Sequence, residues 1–161
     1  RHFETPELVD NLLATYATTP SNDLQQDIAV GLTSTKNAET TANLLAEIKK
    51  ADIIRPQDAS RWFIYLVRTR DSRTQAWRWL QDNWAWVEET FKGDKSYDDF
   101  LRYVATALLT RAELDEFTAF TAPLRAEPAL TRTIDMGITE ITARAELIER
   151  DQAAVLAILV K

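Results

Sequence analysis

Apolar residues recur along this chain at steps of three and four, and strict alternation is not sustained over any strand-length run, so the pattern predicts helices and no sheet. Thr5 followed by Pro6 predicts a first helix carrying Leu8, Leu12 and Leu13 toward Tyr16. Pro20 and Ser21 restart the chain, and from Asp23 a stripe of Leu24, Ile28 and Leu32 marks a second helix. After the polar Thr33 to Asn37 turn, Leu44, Leu45 and Ile48 share one side of a third. Beyond Arg55-Pro56, an apolar face of Ala59, Trp62, Phe63 and Leu66 ends at the polar Thr69 to Arg73 segment, where Asp71 or Ser72 is suited to cap the next helix. That helix is expected to run unbroken through Trp77, Leu80, Trp84, Val87 and Phe91. Trp79 and Trp86 then lie about 200° around its axis from Trp77 and Trp84, which makes it apolar on two sides and asks for a neighbour on each.

Gly93 is expected to end the tryptophan-rich helix, and Ser96-x-x-Asp99, a near relative of the capping box, opens another with Phe100, Leu101, Val104 and Leu108 inward. Thr110-x-x-Glu113 is a full capping box and starts a helix bearing Leu114, Phe117 and Phe120, which Pro123 stops. Past the Pro123 to Pro128 connector, Leu130, Ile134, Ile138, Ile141, Ala145 and Ile148 predict one long amphipathic helix. Asp151 is read as the cap of a final short helix with Val155, Leu156 and Leu159. The sum is an all-α chain of about eight or nine helices, paired antiparallel at about 35 to 45 residues per pair and read as a superhelical array of degenerate HEAT-like or armadillo-like repeats. One domain spanning residues 1–161 is expected.

Composition narrows the classes of function. Acidic residues number 25 against 19 basic, a formal charge of −6 spread along the chain, so a phosphate backbone meets net repulsion and nucleic acid is not expected as a partner. No stretch approaches the roughly 18 apolar residues of a membrane span, so a membrane partner is not expected either. Cysteine is absent, which removes any disulfide framework or thiolate metal site and fits a reducing, cytoplasmic setting. The start at Arg1 rather than methionine, with a helix signal a few residues in, reads as a segment of a longer polypeptide.

Candidate chemistry is sparse. His2 is the one histidine, and with no second histidine or cysteine to join it on a metal it is assigned no role. The adjacent acids Glu88-Glu89, Asp98-Asp99 and Asp115-Glu116 point about 100° apart on a helix, and two of these pairs suit a helix first turn, so they read as solvated faces rather than acid–base pairs. The tryptophans, at helical spacing in an acidic chain, read as core. Asp58 and Asn83, polar residues beside large aromatics, read as hydrogen-bonding anchors for a cap or turn. No glycine-rich phosphate loop, serine–histidine–acid set or cysteine nucleophile is present. Catalytic residues, metal ligands and a cofactor are therefore not expected within this chain.

Four segments carry a family resemblance. Ile54-Arg55-Pro56-Gln57-Asp58 resembles an arginine-x-glutamine-aspartate element that opens a helix, with Arg55 and Asp58 as its fixed positions. Ala76 to Trp84 is similar to an alanine–tryptophan, aromatic–leucine and asparagine–tryptophan motif carried here by Trp77, Leu80, Asn83 and Trp84. Thr110 to Phe120 matches a threonine, glutamate–leucine and paired-phenylalanine element ending in Phe117 and Phe120. The helix from Leu130 resembles a closing segment, without the tryptophan that many members carry near Thr142 to Ala145. Together these resemble the C-terminal HEAT-like domain of aminopeptidase N family zinc metallopeptidases, a domain shared by endoplasmic-reticulum and bacterial aminopeptidases. The resemblance implies a parent enzyme that removes amino-terminal residues from peptides, with its zinc and His-Glu-x-x-His motif in a catalytic domain outside this chain. It also implies that this domain partners that catalytic domain within one polypeptide, encloses the chamber and controls access for peptide substrates. The residues that would touch substrate are not marked by any motif. A free-standing helical scaffold that binds another protein is the alternative reading, and an independent catalyst a third.

Overall fold

The computed structural model describes residues 4–159, so His2 lies outside the described residues. Among them the chain forms nine α-helices and one short 3₁₀ turn, with no strand. Two compact units, Arg1–Phe100 and Leu101–Lys161, divide it.

The first unit holds six whole helices. α1 (Pro6–Thr18) starts where Thr5 accepts the Leu8 N–H with Pro6 at the first position, as the sequence predicts. α2 (Asn22–Thr33) is capped by Ser21 and α3 (Ala38–Glu47) by Asn37, each through its side-chain oxygen. α4 (Pro56–Arg68), α5 (Arg73–Asp82) and α6 (Trp84–Phe91) complete the set, and α1 packs on α2, α2 on α4, and α4 on α5. The inward faces of α1 and α2 are rotated by one position from the predicted stripes. Val9, Leu13 and Tyr16 are buried on α1 and Gln25, Ile28, Ala29 and Leu32 on α2, while Leu8 and Leu24 are exposed. Gln25 explains part of the rotation, because its Nε2 donates to the Tyr16 carbonyl at 3.0 Å, one of the last carbonyls of α1 that the helix itself cannot satisfy.

The tryptophan-rich segment is not one helix. Asn83 leaves helical geometry at φ −116°, ψ 18° and ends α5, with α6 beginning at Trp84. Its Nδ2 donates to the Trp79 carbonyl at 2.8 Å, and its Oδ1 accepts from Lys49 Nζ at 2.8 Å, so one local and one distant bond hold the break. Trp77, Leu80, Trp84, Val87 and Phe91 are all buried. Trp79 and Trp86 belong to a closed circuit of five rings. Phe63–Trp79, Trp79–Trp86, Trp86–Phe91, Phe91–Phe100 and Phe100–Phe63 have centroids 5.9, 5.8, 5.6, 5.0 and 5.1 Å apart, a spacing that favours aromatic pairs beyond their buried area. Gly93 then turns the chain at φ +91°, a backbone conformation that side-chain-bearing residues avoid.

α7 (Asp99–Ala107) begins in the first unit and continues into the second, which also holds α8 (Arg111–Thr121), the 3₁₀ turn Pro123–Ala126 and α9 (Pro128–Leu159). The predicted capping box at α8 is complete: Thr110 accepts the Glu113 N–H, and Glu113 Oε2 accepts the Thr110 N–H at 2.9 Å. Leu130, Ile134, Gly137, Ile141 and Ala145 are the buried line of α9. The helix passes through Asp151 without a break, so the separate final helix expected there is absent. Asp151 instead pairs with Arg150, and Val155, Leu156 and Leu159 are exposed. Arg144 Nη1 donates to the carbonyls of Ala105 and Leu108 at 2.9 and 2.6 Å, placing a cation at the negative end of α7, a cap that the sequence does not announce.

Candidate functional site

The residues singled out by motif fall into two groups. Trp77, Leu80, Asn83 and Trp84 lie on α5 and α6 around the break described above, and Phe117 and Phe120 on α8, with Phe117 fully buried and Phe120 partly exposed. None of these six faces open space with a reactive group. Arg55 and Asp58 differ from them.

Arg55 occupies the N-cap position of α4, where its extended backbone suits the residue before a proline, but its side chain makes no capping hydrogen bond. Asp58, in the first turn, is favoured by the positive helix end and sits mostly buried, with Oδ1 3.9 Å from Arg61 Nη2. Both residues line a cleft of about 260 Å³ with Tyr16, Asp23, Arg61 and Trp62, drawn from α1, α2 and α4. Tyr16 and Trp62 form its floor as an edge-to-face pair with centroids 5.0 Å apart. Burial pushes the Tyr16 phenol above its ordinary range, opposed by the nearby Trp62 N–H, while the charges of Asp58, Arg61 and Arg55 all act on it. Trp62 itself is fully buried, and its Nε1–H has no acceptor in hydrogen-bonding geometry. Of these six, the sequence marks only Arg55 and Asp58. Tyr16, Asp23, Arg61 and Trp62 come together through helix packing and carry no local signature.

Among the described residues, no group of three or more histidine, aspartate and glutamate side chains converges as a metal site. The zinc implied by the resemblance therefore finds no fitting ligand set among these residues. The paired acids remain on solvated surfaces or at helix starts, with Glu88 partly exposed beside Lys92 and Glu89, Asp115 and Glu116 exposed. Among the described residues, no helix is long and apolar enough to cross a membrane.

A family model described as the ERAP1-like C-terminal domain matches residues 1–143. Aminopeptidase N of Lactococcus lactis subsp. cremoris (strain MG1363) is 38% identical over 149 residues, which is 92% of this chain and 18% of that protein. Aminopeptidase N of Lactobacillus helveticus is 30% identical over 155 residues, 96% of this chain and 18% of that protein. Glutamyl aminopeptidase of Mus musculus is 26% identical over 110 residues, 68% of this chain and 12% of that protein. The chain thus spans 18% of the length of these two bacterial relatives.

Proposed function

Because the chain belongs to the ERAP1-like C-terminal domain family, as the C-terminal domain of an aminopeptidase N-like protein, we propose that it serves a cytoplasmic, zinc-dependent aminopeptidase as a non-catalytic wall of the substrate chamber. The family match over residues 1–143, together with a relative of whose length this chain covers 18%, carries the reading. In this proposal the catalytic domain of the same polypeptide supplies the zinc, and the present domain encloses the chamber and controls which peptides reach it. That the described residues hold no group of three or more metal-ligating side chains supports a role in access rather than in metal-assisted bond cleavage.

A domain that acts on access changes transition-state stabilisation only for substrates long enough to touch it. Charge reversal at the exposed arginines Arg68, Arg70 and Arg78, one at a time in the full-length parent, should change kcat/KM for peptides of several residues at one or more positions. A one-residue chromogenic substrate should be nearly unaffected. Equal losses for short and long substrates in folded, zinc-loaded variants would mean that the domain acts through stability or global closure. An upstream reading frame lacking His-Glu-x-x-His would remove the enzyme reading altogether and leave a free-standing protein-binding scaffold.

A further inference from the structure

The α1–α2–α4 cleft gathers charges of both signs beyond what the fold uses. Arg55 stands at the start of a helix whose N–H groups it cannot accept, and its side chain makes no capping hydrogen bond. Arg61 and Asp58 are 3.9 Å apart, well beyond the roughly 2.7–2.9 Å of a charge-assisted hydrogen bond, so both retain capacity for another partner. Arg55, Asp58 and Arg61 all line the one cleft beside Tyr16. The fully buried indole of Trp62 borders the same space.

From this geometry we propose that the cleft binds a small zwitterion of the α-amino acid class, its carboxylate against Arg55 and Arg61 and its ammonium against Asp58 and Asp23. Size and charge select this class. The volume, about 260 Å³, lies just below the roughly 300–1,000 Å³ of pockets for drug-sized ligands, so a single amino acid fits better than a nucleotide or a folded peptide. A lone anion would meet the two aspartates and a lone cation the two arginines, whereas a molecule carrying both charges a few bonds apart satisfies each pair. A sugar would want an open aromatic face, and Trp62 is fully buried. The site does not depend on the function proposed above, although under that reading its ligand belongs to the class of molecule the parent releases.

Titration of the ¹⁵N-labelled chain with L-alanine, N-acetyl-L-alanine and L-alaninamide tests the proposal by NMR. L-Alanine should produce saturable shifts at the Trp62 indole N–H and at the Arg55 to Asp58 amides, and each blocked analogue should bind at least about tenfold more weakly, since it lacks one charge. Arg55→Ala and Asp58→Asn should each weaken L-alanine by about tenfold or more, while Arg78→Ala, exposed on α5, should not. If Asp58→Asn loses its dispersed amide spectrum, Arg61→Ala, whose side chain is 52% exposed, takes its place. No saturable shift up to about 50 mM, equal binding of N-acetyl-L-alanine, or undiminished binding in Arg55→Ala would each overturn it.

Discussion

Trp84 and Trp79 lie five positions apart, and their truncation should cost different amounts because one is enclosed and the other partly open. Trp84 is 8% exposed, and emptying such a site costs about 3–5 kcal/mol. At about 2–4 °C per kcal/mol for a chain of this size, Trp84→Ala should lower the melting temperature by roughly 6–20 °C, and Trp79→Ala by less. A change within a degree or two for Trp84→Ala would refute its enclosure. Two glycines make a sharper contrast. In the sequence Gly31 and Gly137 look alike, each inside an apolar helix, where alanine is ordinarily better by about 1 kcal/mol. A Cβ at Gly31 meets nothing within 4 Å, but at Gly137 it would lie 2.9 Å from Ala105 Cβ and 3.1 Å from Phe117 Cζ. Ala105 has no rotamer with which to yield, and overpacking costs about 1–3 kcal/mol. Urea denaturation should therefore show Gly31→Ala stabilised and Gly137→Ala destabilised, and the same sign for both would contradict this packing.

At the scale of helices, what the sequence made legible is what short-range chemistry decides. Thr5-Pro6, the Thr110-x-x-Glu113 box and Gly93 each act through neighbours within a few positions, and each helix boundary stands where these residues put it. The break at Asn83 is partly local, since its Nδ2 bonds the Trp79 carbonyl as the cap or turn anchor read from the sequence, and partly distant, since its Oδ1 accepts from Lys49, 34 positions away; no proline or glycine marks it as a helix end. Asp151 can act as a cap only where a helix starts, and α9 does not stop before it. Ser72 occupies the cap position of α5, but its hydroxyl donates to the Leu66 carbonyl at 2.6 Å, closing α4 instead. The cleft divides in the same way. Arg55 and Asp58 stand out in the sequence as motif positions within one turn, read there as structural and not as a site, whereas Tyr16, Asp23, Arg61 and Trp62 come from three helices whose packing no local pattern encodes. The box at α8 supplies an element-level test: Thr110→Ala removes the acceptor for the Glu113 N–H and should cost about 0.5–2 kcal/mol by urea denaturation. A loss under a few tenths would mean that the start of α8 frays without affecting the rest.

For the whole molecule, the distribution of titrating groups sets how stability follows pH. Glu7, Asp94 and Asp151 have carboxyls held below their ordinary range, by the Glu7 backbone N–H, by the Ser96 hydroxyl and by Arg150 respectively. A lowered folded pKa contributes stability that is present above the unfolded value near 4 and lost as pH falls through the folded one, so these act only in acid. Glu7 and Asp94 are exposed and Asp151 is partly so, and solvent screening keeps the acid limb shallow. Tyr16 works in the opposite sense, because burial raises its pKa above the ordinary value near 10. Its contribution is complete below the unfolded value and is lost as pH rises through the folded one, when a phenolate would have to form beneath α2 and α4. With one histidine in the sequence, little else titrates between about pH 5 and 8. The melting temperature should therefore be nearly level from about pH 5 to 9 and fall above about pH 10, and Tyr16→Phe should lessen that alkaline fall, whatever it does to stability at neutral pH. An alkaline fall undiminished in Tyr16→Phe would show that the phenol leaves its packed site before it ionises, and a steep loss between pH 6 and 8 would reveal a titrating group that the charge distribution described here does not contain.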